Sequence, residues 1–127
     1  MIRRFFKADL KDPTDPVHQK REEAPETEAN LISSMLPKDG WHAPVLDIDF
    51  EAKLLPSTTP GHYHLYLDKE MRWDTYVFLL RALATAGVIE WGFYHLSIAR
   101  GASFVRKPGV LKEEGDVNSA TQVWRGL

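Results

Sequence analysis

Two aspartates and two histidines occur at alternate positions in two short apolar segments. Asp47 and Asp49 alternate with apolar residues in the first segment, and His62 and His64 do so in the second. Alternate side chains of an extended strand point to the same face of a sheet. Carboxylates bind hard cations such as Mg²⁺ and Mn²⁺, and imidazoles bind transition metals or phosphate oxygens. The spacing therefore predicts a metal or phosphate site on one sheet face.

A hairpin predicted over 93–107, with Arg100-Gly101 at its tip, would extend this polar face. The side chains that it would add are His95, Ser97, Phe104 and Arg106. Arg106 offers a forked donor for phosphate, and Phe104 could stack on a base. His95 joins His62 and His64 as a candidate general acid or base.

The loop between the two first segments carries hydroxyl groups and a glycine that suit phosphate binding. It runs from Pro56 to Gly61 and contains Ser57 and Thr59. Its hydroxyls and the backbone N–H groups near Gly61 could cradle a phosphate. The alternative is an ordinary rigid loop that joins two antiparallel strands.

The elements that must position these residues follow from hydrophobic spacing and from proline and glycine. The predicted order is a strand at 2–7, an arm over 9–40 with a short helix from Pro25 to Leu36, strands at 45–50 and 62–67, a helix over 71–86 closed by Gly87, and the hairpin at 93–107. In the long helix, apolar residues recur at three- and four-residue steps. Such an order predicts an α+β fold, in which a mostly antiparallel sheet of four or five strands packs on one long helix. This is a two-layer arrangement of the RRM or ferredoxin-like kind with an irregular N-terminal arm.

The composition limits the class of protein. The chain has 127 residues, 43% of them hydrophobic, a net charge of −2 and no cysteine. These values predict a single domain over 1–127, with the arm at 9–40, a core at 41–108 and a tail at 109–127. Disulfides and thiolate metal sites are excluded, and no bulk positive charge recruits nucleic acid. No segment has the length of a membrane span or the apolar run of a signal peptide, so we expect a soluble cytoplasmic protein without a membrane partner.

The two first segments resemble the first two motifs of archaeo-eukaryotic primases and primase-polymerases. Leu46-Asp47-Ile48-Asp49 resembles the hydrophobic-Asp-hydrophobic-Asp strand of that family, and Ser57 to His62 resembles its Ser-x-His-type strand. The resemblance implies that Asp47 and Asp49 bind a divalent metal, Mg²⁺ or Mn²⁺. It also implies that His62 or His64 contacts the phosphates of a nucleotide.

Two further resemblances concern other parts of the chain. His95-Leu96-Ser97 is similar to a motif of two-histidine phosphoesterases, which implies phosphoester cleavage by His62 or His64 together with His95. The segment from His42 to Arg106 resembles small proteins encoded by actinobacteria and their phages. That resemblance implies no particular activity.

Three functions therefore remain open from the sequence. The first is a metal-dependent protein, related to phage proteins, that binds or processes a nucleotide or nucleic acid. Its candidate residues are Asp47 and Asp49 for metal; His62, His64 and His95 for catalysis; and Ser57, Thr59, Phe104 and Arg106 for phosphate or nucleotide. The second is a non-enzymatic interaction module with a protein partner or a second copy of the chain. The third is a two-histidine phosphoesterase.

Overall fold

The computed structural model describes residues 2–111, which form two compact units. The first unit ends at Ile48 and the second begins at Asp49. Their elements, in chain order, are β1 (Phe5–Ala8), β2 (Arg21–Glu23), β3 (Leu31–Ile32), β4 (Ala52–Pro56), β5 (Tyr63–Leu67), α1 (Trp73–Thr85) and α2 (Trp91–Arg100). The tail predicted over 109–127 lies outside the described residues from position 112 onward.

The first unit is built on a three-stranded antiparallel sheet in the order β2-β1-β3. Phe6 in the central strand pairs with Glu23 on one side and Leu31 on the other. Its ring is buried, together with Ala8 and Ala43. The strand predicted at 2–7 is thus present, displaced to Phe5–Ala8.

The short helix predicted from Pro25 to Leu36 is wrong. The Pro25 carbonyl accepts hydrogen bonds from the N–H groups of Glu28 and Ala29, which makes one turn. The turn does not continue, because the Asn30 N–H donates to the carbonyl of Phe6 in β1. The Asn30 side chain also pairs with both backbone groups of Ala8, at 3.0 and 2.7 Å. Hydrogen bonding to β1 therefore prevails over local helix formation in this segment.

The second unit begins with an antiparallel hairpin of β4 and β5. Its loop and the antiparallel pairing agree with the prediction. The strand predicted at 45–50 is absent, and β4 begins only at Ala52. Asp47 and Asp49 consequently lie in irregular, exposed backbone rather than on a strand.

Helix α1 confirms the helix predicted over 71–86. Leu80 and Ala84 are buried, and the half-buried Tyr76, Val77 and Leu83 lie at the same three- and four-residue steps. Gly87 follows the cap residue with φ of 76°, the left-handed conformation that glycine adopts readily at a helix end. Trp73, placed on the inner face by its spacing, is 43% exposed.

The hairpin predicted over 93–107 is wrong, because residues 91–100 form helix α2. Tyr94, Leu96 and Ile98 fit a strand alternation, yet Phe93 and Ser97 also lie one helical turn apart. The Gly101 N–H donates to the carbonyls of Ser97 and Ile98, and Gly101 itself is left-handed with φ of 74°. Arg100-Gly101 is therefore a helix end rather than a strand turn.

The fold class is α+β, as predicted, but the finer arrangement is not confirmed. The described strands form one three-stranded and one two-stranded sheet, instead of a single sheet of four or five. Two helices, in contact with each other, take the place of one long helix. Within residues 2–111, no helix has both the length and the apolarity needed to cross a membrane.

We expect Gly101→Ala to lower the free energy of unfolding by about 1 kcal/mol, because alanine disfavours the left-handed conformation. A Cβ at this position meets no atom within 4 Å, so the loss would come from the backbone alone. Urea unfolding monitored by circular dichroism measures it. Gly101→Asn, which tolerates positive φ better, should lose less. Equal stability of the alanine variant and the wild type would contradict the helix end described here.

Candidate functional site

A small cavity in the second unit lies between the β4–β5 hairpin and the segment that follows α2. Its polar lining residues are Ser57, Thr58, His64, Tyr66, Arg106 and Lys107. The hairpin and its loop contribute four of these side chains, and the segment after α2 contributes Arg106 and Lys107. The structure thus brings together three residues that the sequence singled out: Ser57, His64 and Arg106. Lys107 was not among the predicted site residues.

The register of the hairpin decides which side chains reach the cavity. His64 pairs with Leu55, and Tyr66 pairs with Lys53, in the antiparallel ladder. His64 and Tyr66 are half-buried, whereas the residues that alternate with them in β5, Tyr63, Leu65 and Leu67, are exposed. The alternation that separates His64 from the apolar residues was predicted. The face of His64 is, however, the covered one, and the mainly apolar face is the open one.

The imidazole of His64 is the most unusual polar group of the cavity. Its Nε2 atom is buried without a hydrogen-bond partner in the structure. Burial lowers the pKa of His64 below its ordinary value, and the nearby Arg106 guanidinium lowers the same pKa further. Both effects favour the neutral form of His64, and its Nε2 atom has no partner within the protein.

The loop between the strands forms a rigid wall of the cavity. The Ser57 Oγ accepts a hydrogen bond from the Thr59 N–H at 2.9 Å, and the Ser57 N–H donates to the His62 carbonyl at 2.8 Å. The Ser57 hydroxyl donates only at 3.4 Å to the Thr59 carbonyl. Its proton is thus weakly held and can turn to a ligand, whereas the Thr59 N–H is already used within the loop.

A chain of hydroxyl groups fixes the start of the segment that carries Arg106. The Tyr76 hydroxyl of α1 donates to Ser103 Oγ at 2.6 Å, and Ser103 Oγ lies 2.8 Å from Ser97 Oγ of α2. Ser97 is only 2% exposed. Tyr76 lies within the helix predicted over 71–86 and Ser103 within the hairpin predicted over 93–107, and no sequence motif indicated that their hydroxyl groups would meet.

The other predicted site residues do not line this cavity. Asp47 and Asp49 are exposed and belong to different units. His62 is exposed in the loop, one residue before β5. Phe104 is 60% exposed. None of these four residues lines the cavity, and neither does Thr59, which was predicted as a phosphate ligand.

His95 lies on α2, where its ring contacts Trp91 and Tyr94 with centroid distances of 6.0 and 5.2 Å. The two-histidine phosphoesterase motif requires the His-x-Ser unit on a strand. Since His95 and Ser97 lie on a helix, and Ser97 is buried, that resemblance loses its structural basis.

The predicted metal site gains no support from side-chain clustering. Across residues 2–111, no group of three or more His, Cys, Asp or Glu side chains is arranged to hold a metal ion. The cation-binding function of Asp47 and Asp49 stays a prediction from the sequence.

The size of the cavity restricts what can enter it. It measures about 10 Å³, which is close to the space that one water-sized group needs. A ligand can therefore insert one small polar group, such as a phosphate oxygen, while the rest of the ligand lies outside. Arg106, Lys107 and the hydroxyl groups make the cavity suitable for an anion.

The environment of His64 gives a testable titration. We expect its pKa, measured from imidazole NMR shifts, to lie below the ordinary value of about 6.5. Arg106→Gln should raise this pKa part of the way, because burial remains after the cation is removed. Arg81→Gln, an exposed arginine of α1, serves as the matched control and should leave the pKa of His64 unchanged.

The same shift affects stability in a defined direction. Between the ordinary pKa and the lower folded pKa, the unfolded chain binds more protons at His64 than the folded chain does. The contribution of His64 to the free energy of unfolding should therefore fall as the pH drops through this window. His64→Gln should reduce the pH dependence there, and an unchanged slope would contradict the buried neutral imidazole.

The hydroxyl chain predicts a cost for removing its central member. Ser103→Ala leaves the Tyr76 hydroxyl and the buried Ser97 hydroxyl without their shared partner, so we expect a loss of about 1–3 kcal/mol in the free energy of unfolding. Ser103→Thr keeps the oxygen and should lose less. Urea titration compares the variants, and an alanine variant as stable as the wild type would refute the role of this chain.

Comparison with protein-family models, curated proteins and solved structures found no match to this chain.

Proposed function

We propose that the cavity of the second unit binds a phosphate group of a nucleotide. The observation that carries this proposal is the half-buried imidazole of His64 beside Arg106, whose buried Nε2 atom has no hydrogen-bond partner in the protein. A buried polar atom without a partner costs free energy unless a ligand or water supplies the partner. A phosphate oxygen supplies it and also brings the negative charge that Arg106 favours.

The charges around the cavity favour an anion. Two cations, Arg106 and Lys107, line it, and none of its described lining residues is an aspartate or glutamate. Ser57, Thr58 and Tyr66 add hydroxyl donors. Hydrogen bonds from an arginine to phosphate are shorter and stronger than those between neutral groups, and the arginine fork fits two oxygens.

His64 gives the proposed binding a pH dependence. A bound phosphate places negative charge beside the imidazole and opposes the effect of Arg106, so the pKa of His64 should rise on binding. By linkage, the affinity should increase as the pH falls through the pKa of the bound state. The imidazole then donates a proton to a phosphate oxygen instead of standing without a partner.

A nucleotide is the phosphate compound that the sequence favours. The segment from Ser57 to His62, whose first two residues line the cavity, resembles the Ser-x-His-type motif of primases and primase-polymerases. That resemblance implies that His62 or His64 contacts nucleotide phosphates, and of these two histidines His64 lines the cavity. The small cavity admits one phosphate oxygen, which leaves the sugar and base outside the hairpin. Phe104, largely exposed and two residues before Arg106, is the side chain available for a base to stack on.

The proposed contacts use cations of the chain itself. Nucleotide binding should therefore persist when a chelator removes divalent metal. If binding instead depended on a metal held by Asp47 and Asp49, as the sequence predicted, the chelator would abolish it. Manganese titration of the wild type and of the Asp47→Ala/Asp49→Ala variant separates these two forms.

The direct test is calorimetric titration of the full chain with a nucleoside triphosphate and, separately, with inorganic phosphate. We expect Arg106→Gln to weaken binding at least about tenfold, since a charged hydrogen bond contributes about 1.5–3 kcal/mol. His64→Gln should weaken binding and remove its pH dependence. Arg81→Gln should bind as the wild type does.

Two results would count against the proposal. One is the absence of binding by a folded wild-type chain at both neutral and mildly acidic pH. The other is an equal loss of affinity in Arg81→Gln and Arg106→Gln, which would indicate only a general attraction between charges. Arg106→Lys distinguishes the role of the charge from that of the forked guanidinium. The variant should keep the affinity of the wild type if only the charge matters, and should bind more weakly if the fork is needed.

A further inference from the structure

The second surface of the β4–β5 hairpin consists of five aliphatic side chains and one tyrosine, with no charged group. The register pairs them across the two strands as Ala52 with Leu67, Leu54 with Leu65, and Pro56 with Tyr63. Cross-strand partners and alternate residues of each strand share one face. We call these six residues the apolar hairpin face.

This face is open in the structure. Leu54 is 63% exposed, Tyr63 61% and Leu65 58%. The face carries no charged residue, because Lys53 and His64 point to the opposite side with Tyr66. A contiguous apolar surface of this kind marks an interaction site in proteins that remain soluble.

We infer that the apolar hairpin face binds the same face of a second copy of this chain, to form a symmetric dimer. Interfaces between identical chains are more apolar than other interfaces, and a face without charges meets its own copy without like-charge repulsion. The dimer would cover the open face of a two-stranded sheet that is packed against its own chain on one side only. Two such sheets packed face to face lie about 10 Å apart.

The order of small and large side chains makes the face complementary to itself. In the two end pairs, β4 contributes the smaller residue, Ala52 or Pro56, and β5 the larger one, Leu67 or Tyr63. A two-fold axis parallel to the strands places β4 of one copy over β5 of the other. Each small residue then lies opposite a large one, and Leu54 of each copy lies opposite Leu65 of the other.

The area of the apolar hairpin face limits how strongly two copies can bind each other. The exposed parts of the six side chains amount to on the order of 500 Å² per copy, or about 1,000 Å² for the pair, which is the lower limit for a specific interface. The dimer should therefore be weak and depend on protein concentration. The proposed phosphate cavity lies on the other side of the hairpin, so dimer formation and phosphate binding are independent and can fail separately.

The first test is sedimentation equilibrium of the full chain over a range of micromolar concentrations. We expect reversible dimer formation in the wild type, and its loss in the Leu54→Lys/Leu65→Lys and Leu54→Glu/Leu65→Glu variants. An equimolar mixture of the two variants should associate again, because opposite charges then face each other. Phe78→Lys, at an even more exposed apolar residue on α1, should associate as the wild type does.

The second test uses substitutions that disturb the fold less, and it reports how the two copies are oriented in the dimer. The chain has no cysteine, so Leu54→Cys and Leu65→Cys each introduce one thiol. A mixture of the two variants should form disulfide-linked dimers faster than either variant alone, since the axis places these positions opposite each other. Equal rates in the mixture and in the single variants would overturn the proposed packing.

A wild type that remains monomeric at every concentration would overturn the dimer itself. That holds whether the face is then covered by residues 112–127 of the same chain or by a different protein. Association that survives in the folded lysine variant would place the interface elsewhere and overturn the proposal equally.

Discussion

The pairing register of β4 with β5 is the constraint on which the second unit depends. With Leu55 opposite His64, the register puts Leu55, His64 and Tyr66 on the cavity side with Arg106, whereas Leu54, Leu65 and Leu67 lie on the other side. Because successive side chains alternate, a shift of one residue would exchange the two faces. The hydrogen bond from the Ser57 N–H to the His62 carbonyl closes the loop at the length that this register requires.

The hairpin is inverted with respect to a usual surface sheet, in which the apolar face is covered and the polar face meets water. Here the covered side holds His64 and Tyr66, and the open side holds leucines. The apolar core of the second unit lies instead on α1, at Leu80 and Ala84. Such an arrangement gives up hydrophobic stabilisation within one chain. The two proposals above account for it, because an anion would occupy one side of the hairpin and a second copy of the chain would cover the other.

Local spacing predicted the elements whose determinants lie within a few residues. The helix at 73–85 follows from its apolar period and Gly87, and the antiparallel hairpin follows from a short loop rich in proline between two alternating segments. The prediction failed where two periods coexist: residues 93–98 fit a strand alternation and a helical turn equally, and the position of Gly101 at a helix end decides between them. It also failed after Pro25, where a partner distant in sequence, β1, takes the hydrogen bonds that a helix would need.

For the candidate site, alternation identified His64 as a member of a functional face and loop chemistry identified Ser57. Arg106 was also identified, although on a strand that does not exist. The aspartates were misplaced because the strand that would align them begins at Ala52, beyond both residues. The contact of Tyr76 with Ser103 joins residues 27 positions apart, and no local pattern encodes such a meeting.

The hydroxyl chain from α1 through Ser103 to α2 has a mechanical meaning for the second unit. It joins both helices to the first residue of the segment on which the guanidinium sits, three residues further along the chain. The opposite wall of the cavity is held by the backbone ladder of the hairpin. The two walls are therefore positioned by separate sets of hydrogen bonds, one between side chains and one between backbones.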